Sequence, residues 1–323
     1  MNRFISVLVI VIITAAAKSF SQEESISVCS FNIQFLGNSK SRDNEGLAEV
    51  LKKYDVVVIQ ELLAPPYAGT FPDGKPFVPN ATVRQFFECM EKNGYKYDLS
   101  EEDTGPGIRI HINSSATEWW VAFYRTNKVK VAPDLPSGFL SSIRAHNKDF
   151  DRVPYAFPFR TSDNKLDFVL ISVHLEPGPQ MVNRKRREHE LDSIARWITG
   201  HVQTEEHFLI VGDMNIENLS ELADAAPHSF VSLNNECVPT NTNENNPKPY
   251  DHVLYCPALM GKYLDHHYGF HVESLIDDMR TRWIHISSGK YPGDPVYNHN
   301  DFRKYYSDHN PVDFRILVQA NNN

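Results

Sequence analysis

Seven short segments of this 323-residue chain set carboxylates, carboxamides or imidazoles directly against apolar runs. They are Phe31-Asn32-Ile33-Gln34, Ile59-Gln60-Glu61, Glu118-Trp119-Trp120, Ser172-Val173-His174-Leu175, Gly212-Asp213-Met214-Asn215, Tyr250-Asp251-His252-Val253 and Ser307-Asp308-His309-Asn310-Pro311. One such carboxylate, taken alone, is a helix cap or turn former. One such histidine is ordinarily a hydrogen-bonded structural group. A set of this size has a different meaning. Imidazoles held by carboxylates can move protons, and a group of carboxylate and amide oxygens suits a hard divalent cation.

The elements that must carry these residues follow from the apolar pattern. Ile26 to Phe31 and Asp55 to Ile59 predict buried strands, with a Gly37-Asn38-Ser39 turn after the first. Glu45 to Tyr54 has helical periodicity through Leu47, Val50 and Leu51. A loop rich in Pro and Gly runs from Ala64 to Asn80, and Thr82 to Met90 predicts a helix capped by Thr82. Trp119 to Tyr124, Val129 to Val131, Val153 to Phe159 and Phe168 to Val173 read as successive strands. An amphipathic helix covers Asn183 to Thr199, and strands follow at Phe208 to Val211, Val253 to Tyr255 and Val312 to Val318. Strands and helices do not alternate strictly, which argues for an α+β sandwich rather than a doubly wound sheet.

Composition narrows the class further. Apolar residues make up 41% and charged residues 23%, which excludes a disordered or fibrous chain. The net charge of −9 excludes a protein that holds nucleic acid by bulk positive charge. Asn2-Arg3, the apolar run Phe4 to Ala17 and small residues ending at Ser21 have the order of a signal peptide. The expectation is a signal over residues 1–21, one catalytic domain over 22–323, and a secreted or periplasmic monomer without stable membrane association. Cleavage there lowers the net charge to −11, because Arg3 and Lys18 leave with no acid. Cys29, Cys89, Cys237 and Cys256 fit no zinc spacing. Cys237 and Cys256 bracket a polar loop and are the first pair to consider for a bridge, against four unpaired thiols. Sequons stand at Asn80, Asn113 and Asn218.

In their order along the chain, the seven segments resemble the endonuclease/exonuclease/phosphatase superfamily, most closely the secreted deoxyribonuclease I-like nucleases. Asn32 stands at the end of the first strand, Gln60-Glu61 after the second, and Glu118 before an aromatic strand. Arg152-Val153-Pro154, His174 after Ile-Ser-Val, Gly212-Asp213-Met214-Asn215, Asp251 and Ser307-Asp308-His309 complete the match over about residues 25–318. The resemblance implies a four-layer sandwich of two packed mixed β-sheets flanked by helices. It also implies a divalent-metal-dependent phosphodiesterase, an endonuclease acting on DNA. Asn32, Glu61 and Asp308 would hold Mg²⁺, with Mn²⁺ or Ca²⁺ as substitutes. His174 and His309 would be the acid and base, held by Glu118 and Asp251. Asp213 would orient the attacking water, and Asn215 and Arg152 would bind the phosphate. His252 falls on the opposite face of an extended stretch and stays outside the site.

The chain also departs from the family's DNA-gripping members. Leu62-Leu63 and Ala116 replace a basic and an aromatic residue, and Ala64 to Asn80 and Ser287 to Tyr306 are additions. Two further readings stand beside the nuclease. One is a phospholipid phosphodiesterase of sphingomyelinase type, which Trp119-Trp120 and Trp283 keep open. The other is a catalytically silent binding module, against which the full set of acids and imidazoles argues. The basic run Arg184 to Arg187 reads as a solvated helix face.

Overall fold

The computed structural model describes residues 24–38, 41–105, 111, 117–286, 291 and 299–318. The signal-peptide segment, Asn113, Ala116 and much of Ser287 to Tyr306 lie outside the described residues.

Fifteen strands and eight α-helices are described. The strands are β1 (Ser25–Leu36), β2 (Val56–Leu62), β3 (Gly69–Thr70), β4 (Pro76–Phe77), β5 (Lys96–Leu99), β6 (Trp119–Tyr124), β7 (Val129–Val131) and β8 (Gly138–Phe139). They continue as β9 (Tyr155–Thr161), β10 (Asp167–His174), β11 (Phe208–Asp213), β12 (Val231–Ser232), β13 (Asp251–Tyr255), β14 (His271–Val272) and β15 (Val312–Leu317). The first sheet has the order β14-β15-β1-β2-β6-β5. The second has the order β12-β13-β11-β10-β9-β7, with β8 on β9. β1 and β2 run parallel, as do β10 and β11, while the other pairs are antiparallel, so both sheets are mixed.

Alternation sorts each strand's side chains between two cores. Val28, Val58 and Trp120 of the first sheet meet Phe157, Leu170 and Val211 of the second. Trp120 is fully buried there, and its indole N–H donates to Val153 O at 2.9 Å. The other faces of the sheets take the helices. α1 (Asn44–Leu51) and α2 (Ala81–Lys92) cover Phe31, Ile59 and Phe123, and α3 (Met181–Thr199) covers Ile171 and Ile210 through Leu191 and Ile194. The result is the expected four-layer α+β sandwich. α4 (Leu219–Ala225), α5 (Pro257–Met260), α6 (Leu275–Asp278), α7 (Arg280–Ile286) and α8 (His299–Tyr305) are short. No described helix is long and apolar enough to cross a membrane.

Local differences from expectation have identifiable causes. The cap of α2 is Asn80, not Thr82: its Oδ1 accepts from both Thr82 N and Val83 N. The strand expected from Val153 begins at Tyr155, and the loop from Ala64 to Asn80 contains the β3–β4 hairpin. All four cysteines are free thiols, so the Cys237–Cys256 bridge is not formed. Nor is the run Arg184 to Arg187 simply a solvated face. Arg187 is fully buried in an ion pair with Glu221.

Candidate active site

Strand direction brings the polar ends together. β1, β2, β10 and β11 end at one rim of the sandwich, where β6, β13 and β15 begin. The two sheets are joined there by polar contacts: Asn32 Nδ2 donates to Asp213 Oδ2 at 2.9 Å, and Gln60 Nε2 donates to Ser172 Oγ at 3.2 Å. His174, the last residue of β10, is in register with Asp213 on β11. Gly212 makes that closeness possible. Its φ is +142°, and a Cβ there would stand 2.1 Å from Val173 O.

Two imidazole–carboxylate pairs face each other across Asp213. His174 Nδ1 is 2.9 Å from Glu118 Oε1, and His309 Nδ1 is 2.8 Å from Asp251 Oδ2. Asp213 Oδ2 lies 3.7 Å from His174 Nε2 and 3.4 Å from His309 Nε2. Burial opposes charge on both rings, but the surrounding carboxylates overcome it. Glu118 and Asp213 raise the pKa of His174, and Asp251, Asp213 and Asp308 hold that of His309 well above its ordinary value. Glu118 responds in the opposite sense. Burial would raise its pKa, but His174 and Arg152 bring it below the usual range.

Glu61 is the centre of the oxygen cluster. Its Oε1 accepts from Asn32 Nδ2 at 2.9 Å and its Oε2 from Phe35 N at 2.9 Å. Gln34, Phe35 and Glu61 all have positive φ, the kind of backbone strain that collects at functional sites. Burial raises the pKa of the Glu61 carboxyl, with Asp308 and Glu118 adding to the effect. Asp308 Oδ2 accepts from Gln34 Nε2 at 2.8 Å and from Arg303 Nη1 at 3.2 Å, while its Oδ1 is buried with no hydrogen-bond partner among the described residues. An orphaned buried oxygen beside a crowded carboxylate fits a divalent cation. Glu61, His174 and Asp213 also place ligand atoms within 4.8 Å of one another, as do Asp213, Asp251 and His309.

Two expected contacts are made differently. Arg152, expected on the phosphate, is buried with its Nε 2.7 Å from Glu118 Oε1 and its Nη1 2.9 Å from Asp151 Oδ2. The Asn32 oxygen, expected on the metal, accepts from Gln34 N at 2.9 Å, and the residue reaches Glu61 through its amide nitrogen. That nitrogen's two hydrogens serve two carboxylates, Glu61 and Asp213. Asn215 donates from Nδ2 to Leu175 O at 3.1 Å and from its backbone N to Asp213 Oδ1 at 2.9 Å. His252 lies outside the site, as expected, with Nδ1 3.0 Å from Ser232 Oγ.

Sequence reasoning missed three supports. Gln34 holds Asp308, and its position two residues beyond Asn32 was a period-two signal. Thr240 Oγ1 donates to Asp251 Oδ2 at 2.6 Å, and nothing local marks it. Ser307 Oγ ties Asn32 O to His309 N at 2.7 and 3.0 Å.

A sandwich whose strand ends gather two imidazole–carboxylate pairs and a buried oxygen cluster defines a hydrolase of phosphoester bonds. The chain belongs to the Endonuclease/Exonuclease/phosphatase family, whose sequence profile matches residues 29–309. No curated protein matches it in sequence. Among solved structures it is similar to the human Nocturnin catalytic domain with bound sulfate anion, at 13% identity and a TM-score of 0.54. That match covers 91% of this chain and 94% of that one. It is also similar to D. rerio TDP2 complexed with single strand DNA product, at 14% identity and a TM-score of 0.52, over 91% and 99% of the two chains. A mannosyl-6-phosphatase of Bacteroides thetaiotaomicron matches at 15% identity and a TM-score of 0.51, over 91% and 100%. These likenesses show the shared fold.

Proposed function

We propose that this protein is a divalent-metal-dependent phosphodiesterase that cuts DNA, exported by its amino-terminal apolar run and working as a monomer. The observation that carries the reading is Asp213 Oδ2, within 4 Å of the Nε2 atoms of both His174 and His309. A phosphoryl group beside that oxygen, between the two rings, has a proton acceptor on one side and a proton donor on the other. One imidazole takes the proton of the attacking water, and the other delivers a proton to the leaving oxygen. Glu118 and Asp251 fix the tautomers by holding the Nδ1 atoms. Asp213 orients the water, and Asn215 borders the phosphoryl oxygens.

Glu61 and Asp308 are the residues to hold the ion, with Asn32 bracing Glu61. Mg²⁺ suits this oxygen set, and when bound it draws charge from the phosphoryl oxygens. Arg152 serves the reaction through Glu118 rather than by touching substrate. The likeness to TDP2 with a DNA product supports a nucleic acid substrate. The test is hydrolysis of plasmid, single-stranded DNA, RNA and sphingomyelin by the purified protein, with and without chelator. Chelator-sensitive cutting of DNA is the expected result. Turnover of sphingomyelin with DNA intact would overturn the reading.

A further inference from the structure

Beyond Glu61 the chain does not cross directly to the next element. It first builds a wall beside the site. Within that stretch Phe71 and Phe77 stand against Trp119, with ring centroids 5.8 and 5.0 Å away. His111 stacks on Phe71 at 3.6 Å. These rings, with Asn38 and Asp103, border a cavity of about 860 Å³. That lies within the roughly 300–1,000 Å³ of small-molecule sites.

The cavity and the catalytic rim share their supports. Phe35 N holds Glu61, and Gly37 and Asn38 of the same turn line the cavity. Leu63 and Ala64 follow Glu61 into its wall. Glu118 holds His174, and the next residue, Trp119, is a cavity ring. Neighbouring Cα atoms are about 3.8 Å apart, so the cavity wall is built on the same stretches of backbone that carry Glu61 and Glu118.

Its chemistry selects the guest. Aromatic and proline walls favour a flat ring, and among the described residues His111 Nε2 is buried without a hydrogen-bond partner, Glu102 Oε2 lying 3.6 Å away. Two of the three carboxylates around His111 have a basic partner among the described residues. Asp73 pairs with Lys75 and Glu102 with Arg144, while Asp103 Oδ1 lies 2.6 Å from His111 Nδ1. An aromatic box whose carboxylates are largely paired offers a quaternary ammonium little of the negative charge that would hold it. We infer that this cavity takes the base and sugar next to the scissile phosphate, an inference that rests on the nucleic acid reading above.

Two esters with the same leaving group test it: the p-nitrophenyl ester of thymidine 5′-monophosphate, and methyl p-nitrophenyl phosphate. They differ in nucleoside against methyl. The wild type is expected to favour the nucleoside ester in kcat/KM. Phe77→Ala is expected to cut that preference by about fivefold or more, the lower end of what one base–aromatic stack contributes. Val78 is 83% exposed, so Val78→Glu tests the cavity mouth without disturbing the core. It should cut the preference in the same direction. An unchanged preference in both variants overturns the inference. Calorimetric titration with thymidine and with phosphocholine separates this from the larger reading. If neither ester is cut, the phosphodiesterase reading fails, and thymidine binding that Phe77→Ala abolishes still supports the cavity's role. No thymidine binding, or phosphocholine binding in its place, overturns it.

Discussion

Arg152 Nε lies 2.7 Å from Glu118 Oε1, the same oxygen that His174 Nδ1 faces at 2.9 Å. The three groups form a buried line from guanidinium through carboxylate to imidazole, and Asp151 holds the far side of the guanidinium at 2.9 Å. Arg152 is therefore a positioning residue. Arg152→Lys keeps the charge and loses the fork geometry. We expect kcat to fall about tenfold with KM nearly unchanged, the pattern of an interaction made in the transition state. A rise in KM at constant kcat would mean that the guanidinium binds the phosphate directly.

The proposed mechanism makes His174 and His309 one unit across Asp213. His174→Ala and His309→Ala should each slow hydrolysis by about 10²-fold or more, the scale of a lost general acid or base. The double variant should lose far less than the product of the two, because groups acting as a unit are not additive. Steady-state rates on one small phosphodiester check both points. Near-normal turnover in either single variant would make that residue structural.

The orphaned Oδ1 of Asp308 and the raised pKa of Glu61 predict a binding site for a cation. Chelator should abolish activity and Mg²⁺ or Mn²⁺ restore it. Glu61→Ala should reproduce the loss with the fold intact by circular dichroism. Full activity after exhaustive dialysis against chelator would refute the oxygen cluster's role.

DNA should be held by few ionic contacts. Lys185 pairs with Glu188, Arg187 is buried on Glu221, and Arg186 donates to Lys148 O at 2.5 Å, so the basic run is engaged within the protein. Each phosphate contact contributes about −0.9 to the slope of log affinity against log salt. A slope equivalent to about 2 or 3 contacts is expected for inactive His174→Ala on duplex DNA. Arg303, on Asp308 and 40% exposed, is the candidate whose charge reversal should flatten that slope further. A slope equal to six or more released ions would contradict this.

Stability should fall in acid because of His252. Burial pulls its pKa down to about 4, so the folded state keeps the ring neutral where the unfolded chain, near 6.5, protonates it. The unfolded state then binds more protons between those limits, and stability drops as pH falls through that window. Burial pushes Glu190 the other way, up to about 7, so its contribution is lost as pH rises from about 4.5 towards 7. The two opposing contributions overlap, so urea unfolding at a series of pH values should show His252→Gln gaining stability relative to wild type as pH falls from 6.5 to 4. Identical curves would remove His252 from the account.

The fold class and the seven polar segments were legible because both are written locally. Runs such as Val56-Val57-Val58-Ile59 announce a strand within a few residues, and the polar residue at each strand's end stands next to the signal that places it. What those residues touch was not local. Glu118 finds His174 across 56 residues and Asp251 finds His309 across 58. The helices after Pro257 escaped notice because α5 and α6 are single turns, too short to show a period. The tertiary structure alone decided that Arg152 faces Glu118, that Arg187 is buried, and that Thr240 supports Asp251. A side chain's type limits the partners it can accept. Which partner it meets depends on how separate strands are stacked, and periodicity along one strand carries no information about its neighbours' ends.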